Sequence, residues 1–349
     1  MKPQLLAIGA GLASGLLVLA SFSGASISAA YLTLVLPLPI LMAGLGLGTR
    51  RALISIATGF LVTAMVAPAT GVAFGLMFAL PVWLIVRFSL TSPSGPIKEA
   101  PEHVGPYKQE GEQTESSFGD RILGRGVKDW DGESGQPARD IGWFPAGYIT
   151  AIITVLAGIY IVGIALMTSG QGGLEQAATD YLTQVAELVA GAQGEEVLNK
   201  AILQAIPFFP GSVAAFWALS LLCNAIMAQA LLAKGGHNIR PTPRLREFAL
   251  PDWLSWASVV SALIALLGPG EIGYIGRNLS LVLAVPFFFL GLAVVHKLAG
   301  MTPLPGALLS LVYLVMIFSG WFLLVIAGLG ILEQWVGLKQ YMQPPTSEL

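Results

Sequence analysis

Charge is what this sequence has least of. Only 11% of its 349 residues are Asp, Glu, Lys or Arg, while 55% are hydrophobic; soluble domains carry roughly 25% charged residues. With a mean hydropathy of +0.74, the chain has more apolar surface than one aqueous core can hide. That combination excludes a soluble enzyme and a disordered chain alike. Cysteine is nearly absent: Cys223 stands alone, which excludes an internal disulfide and any multi-cysteine zinc or iron–sulfur site. The three histidines, His103, His237 and His296, never fall four residues apart, so a two-histidine helical metal site is missing too. Neither a G-x-S-x-G elbow nor a P-loop occurs, so no recognised device for acyl transfer or ATP hydrolysis is present. No enzymatic activity and no cofactor are expected. With 18 basic and 20 acidic residues the net charge is −2, so nothing draws the chain to nucleic acid.

What is there is a series of long apolar runs. A bilayer core of about 30 Å needs roughly 20 apolar residues in a helix rising 1.5 Å per residue. Nine runs fit, at 3–21, 27–48, 52–68, 72–90, 143–167, 209–233, 253–267, 279–296 and 305–332. The fold expected is an all-α polytopic transmembrane bundle of about nine spans, with eight or ten as neighbouring counts. Residues 1–90 hold four helices, 91–142 form a cytoplasmic insertion, 143–333 hold five more with an outer segment at 173–206, and 334–349 are a tail.

Basic residues set the orientation, because short cytoplasmic loops retain Lys and Arg. With the N-terminus inside and nine alternating spans, fifteen of the 18 fall on the cytoplasmic side. Lys200, Arg277 and Lys339 alone fall outside. The N-terminus is therefore expected on the cytoplasmic side of a multi-pass membrane protein. The first run, with Lys2 before it and small residues at 23–30 after it, reads either as an uncleaved helix or as a signal peptide. Cleavage would remove one span without inverting the rest.

Two segments break the pattern. Residues 91–142 are rich in Gly, Pro, Ser and charge and read as a flexible insertion. Within it Phe118, Ile122, Leu123, Val127 and Trp130 share a helical face with Arg121, Arg125 and Lys128 interleaved. That patch reads either as a short helix on the anionic inner leaflet or as a loop with a few hydrophobic residues. On the outer side, Leu174, Ala178, Tyr181, Val185, Leu188 and Ala192 form one apolar stripe backed by Glu175, Asp180 and Glu187. Its acidic face suits packing on the bundle's outer end or a dimer contact better than binding anionic lipid.

Few polar groups enter the spans. Asn224, with Ser220 and Gln229 on the same helix, must find a partner near mid-membrane, either another helix or a ligand. Ala7, Gly11 and Gly15 recur every four residues on the first helix, a face small enough for close helix packing or for docking another membrane protein. The stretch 268–278 reads as an outer loop offering Glu271, Arg277 and Asn278. Arg277 is suited to grip a carboxylate or phosphate, or to pair with Glu271 on the surface.

The run Pro37-Leu-Pro-Ile-Leu-Met-Ala-Gly-Leu-Gly-Leu-Gly-Thr-Arg50, together with Arg240-Pro-Thr-Pro and Leu250-Pro-Asp-Trp253, resembles the YybS-like family of predicted bacterial membrane proteins, domain of unknown function 2232. That family is similar in architecture to the S components of energy-coupling-factor transporters. The resemblance implies an outward-facing small-solute site and a first helix docking through Ala7, Gly11 and Gly15. It also implies a transmembrane coupling subunit and ATPases as partners. It transfers no vitamin-binding residue, and nine spans exceed the six of an S-component core. Two functions are therefore expected: a solute-binding subunit working through Glu271, Arg277, Asn278 and Asn224, or a non-transporting scaffold that recruits partners.

Overall fold

A computed structural model describes residues 2–22, 34–92, 95–96, 143–189, 200 and 202–341. The patch around Phe118–Trp130, the small residues at 23–30 and Ala192 lie outside them. Apart from a two-residue ladder pairing Thr91–Ser92 with Gly95–Pro96, the described chain is helical. Lipid offers backbone groups no partner, so an apolar segment must satisfy its own N–H and C=O groups within a helix.

In chain order the helices are α1 (Pro3–Phe22), α2 (Leu38–Leu47), α3 (Thr49–Val66), α4 (Pro68–Ser89, with a π turn at Gly75–Ala79), α5 (Ala146–Thr168) and α6 (Gly173–Val189). After them come α7 (Phe209–Lys234), α8 (Trp253–Leu267), α9 (Gly270–Ala299), α10 (Pro305–Phe318) and α11 (Gly320–Val336). Among the described residues, six helical segments are long and apolar enough to cross a bilayer, and α2, α8, α10 and α11 are shorter apolar helices. The chain divides into two compact units, residues 1–149 with 220–247 and residues 150–219 with 248–349.

In the first unit α1 crosses α3 on its small-residue face. A Cβ on Gly11 would lie 2.2 Å from the Ser55 carbonyl oxygen, and one on Gly15 would lie 3.1 Å from Val62. The Ser55 hydroxyl closes the crossing by donating to Ala7 O at 2.7 Å. Just before α2 the chain turns at Leu36–Pro37. Prolines at 37 and 39 remove the N–H groups that would continue a helix. Two polar side chains accept the task of pairing the freed carbonyls. Ser14 donates to Leu36 O at 2.8 Å and Asn224 donates to Leu34 O at 2.6 Å.

The second unit is organised around α9, whose buried residues run from Gly273 to Ala299. On one side Gly276 meets the α8 backbone, its built Cβ 2.5 Å from Ala265 N. On another, Gly291 and Gly330 face each other so closely that a Cβ on either would sit within 2 Å of a carbonyl oxygen of the opposite helix. Six residues beyond Gly291, Lys297 donates to Lys339 O, nine residues beyond Gly330. The two helices therefore run parallel.

That register corrects two sequence expectations. The 305–332 run is not one long span: it breaks at Ser319, which is extended (φ −128°, ψ 98°), and α11 continues to Val336. Because α11 parallels α9, α10 between them must run the opposite way. Lys339 consequently lies at the same end as Lys297, not at the far side of the membrane. There it donates to Phe248 O at 2.7 Å and pairs with Glu333 at 3.7 Å. Gln334 also reaches Asp252 at 3.5 Å, and the Trp256 and Trp335 rings meet edge to face at 5.7 Å.

Candidate functional site

The stretch 268–278 is not a loop. Only Gly268 and Pro269 separate α8 from α9, and Glu271 to Asn278 form the first turns of α9. The glycines that suggest a turn are there for close packing: Gly273 and Gly276 admit the α8 backbone. Within the 30-residue helix, Arg277 sits about 10 Å from the start at 1.5 Å per residue. A charged side chain thus enters the apolar segment, where the sequence places only loop charges.

Each polar residue there has a defined use. The Glu271 carboxylate accepts the N–H of Leu174 at 2.5 Å and approaches that of Glu175 at 3.5 Å. These are unsatisfied donors at the start of α6, and a carboxylate complements the positive end of a helix. Gly173, with φ +90°, brings the chain to within 2.8 Å of that carboxylate, measured from a built Cβ. Asn278 is fully buried. It accepts the Gly211 N–H at 2.7 Å and donates to Tyr274 O at 2.9 Å and Pro207 O at 3.3 Å. The Tyr274 hydroxyl donates to Ile206 O at 2.7 Å. Together Tyr274 and Asn278, one turn apart, hold the 206–211 entry to α7.

Arg277 does not pair with Glu271 among the described residues. Its guanidinium reaches one turn outward and lies 5.7 Å from the centre of the Tyr274 ring, in cation–π contact. Its Nε–H is buried and has no partner among the described residues. The structure therefore brings Glu271, Arg277 and Asn278 into two consecutive turns of one helix. Two of the three are engaged with backbone, and Arg277 keeps a donor to spare.

Asn224 belongs to the first unit. Its amide donates to Leu34 O and, at 2.8 Å, to Ser220 O, while its Oδ1 is buried with no partner among the described residues. Ala7, Gly11 and Gly15 are taken up by the crossing with α3. Of the outer stripe, Leu174 and Ala178 are buried as the periodicity predicts. Tyr181 and Val185 are exposed, and Ala186 is buried in their place. Tyr181 instead stacks on Phe209, with ring centres 5.7 Å apart.

Two further features carry no sequence motif. An apolar cleft of about 420 Å³ runs between α5 and α9, walled by Val155, Gly158, Ile159, Leu279, Val282 and Leu283 among others. The second is a titratable cluster at the end of α9 and α11, where Lys339 donates its backbone N–H to Glu333 at 2.8 Å. His296, buried nearby, bonds Leu292 O through Nδ1 at 2.8 Å and faces the Tyr313 hydroxyl at 3.4 Å. Burial holds the Lys339 ammonium below the ordinary lysine value, and the Glu333 carboxylate pulls it back up. No cluster of His, Cys, Asp and Glu able to hold a metal ion occurs among the described residues.

Apolar helices with internally paired polar groups define a multi-pass helical membrane protein. A sequence profile described as "Predicted membrane protein (DUF2232)" matches residues 138–333. The chain belongs to that family. The match includes Arg240-Pro-Thr-Pro and Leu250-Pro-Asp-Trp253, whereas the run from Pro37 to Arg50 falls before it. No curated protein and no solved structure matches the chain.

Proposed function

We propose that the protein is a non-catalytic, multi-pass subunit of the bacterial inner membrane that serves as a scaffold or assembly partner. Counting the 27–48 run as one span and α10 and α11 as two gives ten passes, with the N-terminus and the Lys339 turn both cytoplasmic. Only Lys200 and Arg277 then remain on the outer side, an asymmetry stronger than nine spans allow. The observation that carries the scaffold reading is the use of the polar side chains. Glu271, Asn278 and Asn224 each serve the backbone of their own unit. What is left to offer is the insertion read from the sequence at 91–142, most of it outside the described residues, and an apolar α10–α11 turn with Phe318 and Trp321 each at least 80% exposed.

A second reading, a solute-binding subunit served by a coupling subunit and ATPases in trans, is favoured by the free buried N–H of Arg277. Native mass spectrometry of protein extracted from its own membrane separates the two. On the scaffold reading, the wild type carries a partner at fixed stoichiometry, and removing residues 99–138 releases it. A small molecule retained by both forms and lost from Arg277→Ala would overturn that reading in favour of the second.

A further inference from the structure

Arg240 is a buried cation that meets no carboxylate among the described residues. Only 7% of it is exposed, although it lies in the loop after α7. Its backbone is pinned, because its carbonyl accepts Gln229 Nε2 at 2.6 Å and Asn238 Nδ2 at 2.9 Å. Of its five N–H donors, one reaches Ser89 O at the end of α4, at 3.3 Å. The guanidinium lies 5.8 Å from the Trp143 ring centre. Arg87, one turn back on α4, donates to Thr91 Oγ1 at 2.9 Å. The two arginines thus flank the same three-residue turn, Ser89 to Thr91, which Phe144 ties in place by donating to Thr91 O at 3.2 Å. Among the described residues neither arginine meets a carboxylate; the ion pairs there are Arg244–Glu247 and Lys339–Glu333.

A largely buried guanidinium is costly unless an anion pairs with it. Burial lowers the Arg240 pKa from its usual value. A planar fork with free donors matches tetrahedral oxyanions, and basic pockets at the cytoplasmic ends of membrane helices take anionic headgroups. Trp143, over which the Arg240 guanidinium sits, is of the amphipathic aromatic type enriched at membrane–water boundaries.

We propose that Arg240 and Arg87 form a binding site for a phosphate ester, supplied either by an anionic phospholipid of the cytoplasmic leaflet or by a soluble phosphate compound. The test uses the full chain in nanodiscs of phosphatidylcholine with and without phosphatidylglycerol, and in detergent with inorganic phosphate or glycerol phosphate. Thermal stability and native mass spectrometry are the readouts. The wild type should gain stability with phosphatidylglycerol and retain it through delipidation, and Arg87→Gln should weaken that retention about tenfold, the scale of one lost charge-assisted bond. Arg240→Gln should abolish it. Should that variant fail to fold, Arg87→Gln and the wild type's headgroup dependence decide. Stabilisation by soluble phosphate with no lipid dependence keeps the site and assigns it to a soluble compound. Equal retention of phosphatidylglycerol and phosphatidylcholine, with no response to phosphate and no effect of either substitution, would overturn the proposal.

Discussion

The α9–α11 crossing makes a sharp quantitative demand. A Cβ on Gly330 would lie 1.8 Å from Phe287 O and one on Gly291 would lie 1.9 Å from Ile326 O, both backbone atoms that cannot rotate away. Normal contact begins near 3.4 Å, so Gly330→Ala requires the helices to part by about 1.5 Å along much of their length. Overpacking of this kind costs about 1–3 kcal/mol, and loss of contact along the seam pushes it to the upper end. Gly328, two residues away on α11, has open space around its Cβ position. There Ala should stabilise by about 0.5–1 kcal/mol through helix propensity alone. Gly291→Ala should cost as much as Gly330→Ala, and the pair much less than their sum, because one separation accommodates both methyls. Unfolding in mixed detergent micelles, followed by tryptophan fluorescence, measures all four. Equal effects of Gly330→Ala and Gly328→Ala, or strict additivity of the pair, would refute the backbone-to-backbone crossing.

Further expectations follow from the same geometry. In a Cys223→Ser background, Lys339→Cys should be labelled by an impermeant thiol reagent from the same side as Thr302→Cys and the opposite side from Gln171→Cys. Labelling with Gln171 would restore the single long final span. Asn278→Ala leaves the buried Gly211 N–H without its acceptor and should cost about 2 kcal/mol, while Glu271→Gln weakens the α6 cap by about 0.5–1 kcal/mol. Hydrogen exchange at Gly211 and at Leu174–Glu175 reads the two losses separately; unchanged protection would contradict the bonds. Because burial puts the Lys339 pKa below the unfolded value of 10.5, the unfolded chain binds the extra proton in that window. Stability should therefore rise as pH is raised toward 10.5, and Lys339→Met should flatten that rise.

Hydropathy is a local property, so the apolar runs and their helical state could be read along the chain. The close α1–α3 crossing was legible for a similar reason. Four-residue spacing of Ala7, Gly11 and Gly15 fixes one helix face whatever its partner. Tertiary structure alone decided three other matters. The reversal at Ser319 carries no proline and no charge, and becomes visible only when Gly330 is placed opposite Gly291 and Lys339 beside Lys297. Gly268 to Gly276 resembled a loop because glycine serves turns and close helix contacts equally; the α8 backbone chose the second. Finally, Glu271, Asn278, Asn224 and Arg240 all find backbone atoms as partners. Carbonyl and amide groups are the same at every position, so the sequence names the polar side chain but never the main-chain group that will receive it.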